Sequence, residues 1–360
     1  MGALHGASPA PGMCVMSAGN SDTGEKTVHF SSPSQQTTLV PESTPPNSET
    51  TSTTACSVVV NDKYFLCNHL NWFDESHEFT YVLEQVHYFE DMSKCSENCQ
   101  GVKGSLARHV AYWEKISSFF LDTIKNGYVI PFIEPPIQMC FKNNRSAIGK
   151  EEFGSQTISD LIKSGCVVNV PFPPFVVNPL SVATHKSGKK RLILDLSTLN
   201  RYVKRDTIKF EDWRVAVQYF DKNVFMFRYD LKSGYFHIDI CPQQHTYLGF
   251  QWKEQFYCYT VLAFGITTGP YIFTKCLRPL VKFWRENGVK VVLYLDDVFG
   301  MNKDVSSCYE DAQFVKESLI EAGLFINEEK SVFNPVTKLE WLGIFWNSTE
   351  FTLSIPERRV

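Results

Sequence analysis

Two adjacent carboxylates, Asp296 and Asp297, end the tetrapeptide Tyr294-Leu295-Asp296-Asp297. Val289-Lys290-Val291-Val292-Leu293 leads in and Val298-Phe299-Gly300 leads out. That pattern predicts two short strands joined by a tight turn with the acids at its tip. Neighbouring carboxylates repel, and burying them uncompensated is costly, so a divalent cation is the expected partner. A third carboxylate, Asp230, ends the apolar run Val224-Phe225-Met226-Phe227-Arg228-Tyr229. Two strand ends of this kind, brought together, make a hard-oxygen site for a pair of Mg²⁺ ions. Sites of that type drive in-line phosphoryl transfer. The plainer reading is a pair of turn carboxylates in solvent.

Positioning such a site takes strands and helices in a definite order. Pro270 suits the first turn of a helix running to about Glu286, with Ile272, Phe273, Cys276, Leu277, Leu280, Val281 and Trp284 on its buried face and a kink at Pro279. A second helix is expected over about 306–322, stopped by Gly323. Tyr247–Trp252 and Phe256–Leu262 read as a hairpin across Lys253-Glu254-Gln255. Leu339–Trp346 and Phe351–Leu353 read as another, about Asn347–Glu350. Upstream, Glu151–Ser164 has helical character, Val167–Val182 is Pro-interrupted extended chain, and Lys186-Ser187-Gly188 is a candidate hairpin turn. Tyr112, Trp113, Ile116, Phe119, Phe120 and Ile124 recur near helical spacing, with Gly127 where a helix would end. That stripe reads as a helix packed on a neighbouring domain, in preference to a nucleic-acid stacking platform. The order of elements suggests an α+β layer.

The chain has 360 residues and a formal charge of −4. Its charge is unevenly placed: Lys186, Lys189, Lys190, Arg191, Arg201, Lys204, Arg205 and Lys209 stand against Asp195 and Asp206. Such a stretch fits phosphate or nucleic-acid binding, or a solvated surface. Residues 1–55 are rich in Ser, Thr, Pro and Gly and are expected to be disordered. The 11 cysteines have no paired spacing and suggest reduced thiols. Cys95 and Cys99, with Cys67 and His109, fit no familiar zinc spacing. No secretory or membrane-spanning run is present, so an intracellular, membrane-free protein of cytoplasm or nucleus is expected.

The ordered motifs resemble those of reverse transcriptases of retrotransposons, of DIRS or gypsy type. Asp230-Leu231-Lys232-Ser233-Gly234-Tyr235 is similar to the family's first palm motif, and Phe264-Gly265-Ile266-Thr267-Thr268-Gly269-Pro270 to the second. Tyr294-Leu295-Asp296-Asp297 matches the third, Gly323–Lys330 the fourth, and Trp341-Leu342-Gly343 resembles the primer-grip hairpin. Lys186–Asp195 and Leu199-Asn200 resemble the fingers. Ala263 and Gly269 depart from the family's usual Pro and Ser or Ala.

The resemblance implies a right-hand polymerase. Its palm would be a ferredoxin-like antiparallel sheet with helices on one face. The implied domains are a leader (1–55), a mostly helical lead-in (56–150), fingers (151–223), palm (224–335) and a primer-grip hairpin that begins a thumb (336–360). A thumb and a ribonuclease H region would lie beyond. The implied reaction adds dNTPs to a primer 3′ end on an RNA or DNA template. Asp230, Asp296 and Asp297 would hold two Mg²⁺ ions, with Mn²⁺ as a substitute. Lys330 would be the general acid. Tyr235, Phe264, Gly265, Arg191 and Lys186 would bind the nucleotide, with Tyr235 excluding a 2′-hydroxyl. The alternatives are a domesticated nucleic-acid-binding copy without catalysis and an RNA-dependent RNA polymerase. The sequence leaves oligomeric state open.

Overall fold

The computed structural model describes residues 59–60, 63–64, 85–90 and 101–355. The leader and the set Cys67, Cys95 and Cys99 lie outside the described residues. A ribbon of β1 (Val59–Val60) and β2 (Lys63–Tyr64) precedes helical residues 85–90 (α1). Then come α2 (Ser105–Arg108), α3 (Val110–Ile116), the 3-10 turn Ser118–Phe120 and α4 (Leu121–Asn126). β3 (Met139–Cys140), α5 (Arg145–Ile148), α6 (Glu151–Lys163), β4 (Val167–Val170) and β5 (Val176–Asn178) follow. The hairpin β6 (Leu180–Thr184) and β7 (Lys190–Leu194) leads to α7 (Trp213–Val217). The rest runs β8 (Phe225–Asp230), β9 (Gly249–Trp252), β10 (Gln255–Tyr259), α8 (Gly269–Glu286), β11 (Val291–Tyr294), β12 (Asp297–Asn302), α9 (Val305–Glu321) and β13 (Val332–Val336). It ends in β14 (Lys338–Trp341), β15 (Ile344–Asn347) and β16 (Thr352–Ser354).

The central sheet has the order β11-β12-β8-β13, every neighbour antiparallel. With α8 and α9 as crossovers this is the expected ferredoxin-like β-α-β-β-α-β order, into which the β9–β10 hairpin is inserted. Strand alternation gives the sheet two faces. Phe227, Tyr229, Val291, Leu293 and Val298 join the main core with α8 and α9. Met226, Val292, Phe299 and Met301 join a second core with Trp341 and Trp346. Gly300 is required by this packing. A Cβ there would lie 2.1 Å from the Phe227 ring that faces it in register.

The structure alters several expectations. The aromatic stripe is no single helix: Ser117 turns to extended backbone (φ −166°, ψ 129°) between α3 and the 3-10 turn. Its buried members still pack as expected. Trp113 is fully buried and donates Nε1–H to the Ala322 carbonyl at 2.9 Å, and the Tyr112 hydroxyl meets Ser318 Oγ at 2.7 Å. Leu339–Trp346 is two strands, because Leu342 (φ 50°) and Gly343 (φ 74°) reverse the chain. The β9–β10 turn is only Lys253-Glu254, both at positive φ, and Gln255 is already in β10. The fingers–palm boundary at 223 is crossed by pairing, since β9 and β10 complete the sheet β3-β5-β9-β10-β4. By contrast α8 runs to Glu286 with Pro279 inside it, as expected.

Candidate active site

The register of β8 and β12 sets Asp297 directly opposite Asp230. Like charges so placed are destabilising in a sheet. Tyr294 pairs with Asp297, so the turn is the two residues Leu295 and Asp296. Leu295 sits at φ 53°, a left-handed conformation that a branched side chain adopts at a cost of about 1–2 kcal/mol. The Leu231 amide donates to the Asp296 carbonyl at 3.0 Å and ties the tip to the end of β8. Gly234 keeps the approach open: a Cβ there would come within 2.8 Å of the Phe273 ring and 3.4 Å of Asp296 Cβ.

Asp230 is the most enclosed of the three acids, 9% exposed. Lys330 Nζ lies 3.1 Å from Oδ1 and 3.3 Å from Oδ2, and Asn327 Nδ2 donates to Oδ1 at 3.0 Å. The loop from Gly323 to Lys330 is itself pinned there, since the Asn327 amide donates to the Asp230 carbonyl at 2.8 Å. Burial, then the charges of Asp296 and Asp230, pushes the Asp297 carboxyl up to about 6. Burial and Asp230 also raise Asp296. Among the described residues, no three His, Cys, Asp or Glu side chains already converge as a metal cage. The donor chemistry nevertheless suits a hard divalent ion: three carboxylates at adjacent strand ends, two of them raised by burial and by neighbouring acids, both of which a cation would offset.

Beside the acids, Tyr235 stacks on Phe264 (4.8 Å between centroids, 17° between planes) and tilts on Phe273 at 5.2 Å. Burial, then Asp296, pushes its hydroxyl up to about 12. Gly269, a departure from the resembled motif, has a reason here: a Cβ would lie 3.2 Å from Tyr235 Cε2. Gly265 (φ 108°) sits under the base of the β6–β7 hairpin, where a Cβ would lie 3.3 Å from the Leu194 carbonyl. Arg191 and Lys186 ride on that hairpin, both exposed and away from the acids' hydrogen-bond network. Trp341 is fully buried and stacks on Phe299 at 4.9 Å, so it anchors its hairpin from within, while Leu342 and Gly343 form the half-exposed turn.

Four residues have supporting roles that the sequence did not assign, although Asn200 and Asn327 lie within the resembled motifs. Asn327 and Ser331 fix Asp230, the latter accepting its amide proton at 3.1 Å. Arg228 donates to the Lys330 carbonyl at 2.9 Å and to that of Glu340, and it opposes the rise of Asp297. An arginine inside an otherwise apolar strand run was the available signal. Asn200 clamps the Gly265 turn from both sides, donating to the Gly265 carbonyl at 2.7 Å and accepting from the Thr267 amide at 2.9 Å.

Residues 183–345 match the family described as Reverse transcriptase (RNA-dependent DNA polymerase). The chain is 24% identical over 313 residues to the Retrovirus-related Pol polyprotein from transposon gypsy of Drosophila melanogaster, covering 80% of this chain and 29% of that one. It is 25% identical over 199 residues to the Transposon Tf2-3 polyprotein of Schizosaccharomyces pombe, covering 55% of this chain and 15% of the relative. The chain thus spans less than a third of these relatives' length. Among solved structures, the foamy viral protease-reverse transcriptase in complex with dsDNA superposes with a TM-score of 0.53 at 18% identity, over 79% of this chain and 57% of that one. The same enzyme with an RNA/DNA hybrid gives 0.51 at 16% identity, over 82% and 38%. Those likenesses show the fold.

Proposed function

We propose that this chain, which carries a reverse transcriptase domain over residues 183–345, adds deoxynucleotides to a primer 3′ end on an RNA or DNA template as part of a retroelement polyprotein. The observation that carries the reading is the meeting of Asp230 and Asp297 across β8 and β12, with Asp296 at the adjoining turn. Divalent ions held by these carboxylates would supply Lewis-acid activation of the 3′-hydroxyl and charge neutralisation at the departing pyrophosphate. The protein's own groups do the rest. The Tyr235 ring, held flat by Phe264, floors the sugar site and clashes with a 2′-hydroxyl. Gly265 lets the backbone approach the nucleotide. Arg191, and Lys186 at the hairpin tip, reach the triphosphate, the planar guanidinium by bidentate contact. Lys330 Nζ, already at the acids, donates a proton to the leaving pyrophosphate. The Leu342-Gly343 turn braces the primer, with Trp341 as its buried root. The fingers comprise β6, β7 and the mixed sheet, and the palm the central sheet with α8 and α9.

The test is extension of a labelled DNA primer on a homopolymer RNA template, with Mg²⁺ and with chelator. Metal-dependent growth of the primer is expected. Tight primer–template binding without extension in any divalent ion would favour a binding module that has lost catalysis.

A further inference from the structure

The lead-in's aromatic stripe is buried or half-buried with one exception. The extended backbone at Ser117 sends Phe119 outward, 68% exposed. Phe119 borders a groove of about 850 Å³ between α3, residues 209–211 and α8. Lys115, Lys209, Lys275, Arg278 and Lys282 line it. Its acids are already engaged: Glu211 takes Arg285 through both oxygens at 2.8 and 2.7 Å, and Glu286 lies 3.7 Å from Lys282 Nζ. Lys275 Nζ sits 5.6 Å from the Phe119 ring and 5.5 Å from Tyr271. Neither the three aspartates nor Lys330 belongs to this lining, and Lys115 and Phe119 lie outside the stretch matched to the family.

We infer that this groove is a second nucleic-acid site, one that takes an unpaired stretch of RNA or DNA. A base stacks on Phe119, and the phosphates lie along Lys115, Lys275 and Arg278. An exposed ring beside uncompensated cations is the combination that single strands use, because every base offers a π face and every linkage a charge. A duplex keeps those faces inside its own stack. An acidic peptide would meet the cations and leave the ring idle. Nothing in this groove depends on polymerase chemistry.

The experiment uses the full chain with single-stranded oligo-U and oligo-dT carrying one 5-iodouracil, and a duplex of equal length. Irradiation is expected to cross-link the oligonucleotide to the peptide that contains Phe119. Phe119→Ala, at an exposed position that does not threaten folding, is expected to weaken single-strand binding by roughly 5- to 10-fold while duplex affinity holds within about twofold. Lys275→Gln is expected to flatten the salt dependence, by roughly 0.7 in log–log slope for each phosphate no longer neutralised. A cross-link mapped only elsewhere, or single-strand affinity unchanged in Phe119→Ala, overturns the proposal. Displacement of the oligonucleotide by polyglutamate of equal charge would assign the groove to acidic peptides instead. A preference of about tenfold or more for either sugar would contradict recognition by stacking and phosphate alone. None of these readouts requires extension, so failure of the polymerase reading would register separately.

Discussion

The same two strands, β8 and β12, build opposite things on their two faces. Toward the helices, Phe227, Tyr229 and Val298 are fully buried, and the Tyr229 hydroxyl is satisfied by the Ala312 carbonyl. On the other face Met226, Phe299 and Met301 are covered by Trp341 and Trp346, but that cover stops short of Asp230 and Asp297. One face spends its side chains on stability. The other leaves like charges opposed at the sheet's end, desolvated enough to interact strongly and not paired enough to cancel. A candidate active site here is the place where a sheet's cover runs out.

Truncation on the helix face should have the largest effect. Phe227→Ala is expected to cost about 3–5 kcal/mol in urea unfolding, by lost burial and a cavity beside Gly300. Gly300→Ala alone should also destabilise, since its Cβ has no room, yet should recover part of the loss when combined with Phe227→Ala. A loss below about 1 kcal/mol for Phe227→Ala would erase the contrast between the faces.

On the acidic face the sign reverses. Folding raises the Asp297 carboxyl from 3.8 to about 6, so the folded state disfavours its ionised form. The penalty is absent below the unfolded value, grows as pH rises from about 4 to 6, and is complete above that. Asp297→Asn should therefore stabilise the protein without divalent ions by roughly 1–2 kcal/mol at pH 8, after allowance for solvent screening, and by little at pH 4. Equal effects at both pH values would mean that burial and the neighbouring acids do not raise the Asp297 carboxyl in the folded state. The smallest effect belongs to the turn. Leu295→Gly relieves the positive φ but loosens the unfolded chain, for a net gain of about 0.5 kcal/mol, readable as a shift in melting temperature. A clear loss would show that the Leu295 side chain contributes more than its strain removes.

Much of this was legible in the sequence because it is local. Apolar runs that end in Asp230 and flank Asp296-Asp297 announce strands with acids at their ends, and Pro270 and Gly323 mark the start of one helix and the end of another. What was hidden depends on packing. The break at Ser117 leaves no Pro or Gly signal. It follows from Trp113, Phe120 and Ile124 all reaching the core while Phe119 does not. The Leu342-Gly343 reversal was obscured by apolar residues on both sides. Asn200 and Arg228 act through partners more than 60 residues away, Gly265 for one and Lys330 for the other, which no spacing rule connects.

Asp296→Asn tests the account most directly. It removes one charge from the turn at nearly constant size, so the account predicts loss of primer extension by roughly 10⁴-fold or more. Primer–template affinity at the same salt should stay within about twofold, since binding rests on the basic side chains. Extension and gel-shift affinity would be measured side by side for wild type and variant. A variant that extends at the wild-type rate would contradict the assignment of these carboxylates as the seat of the chemistry.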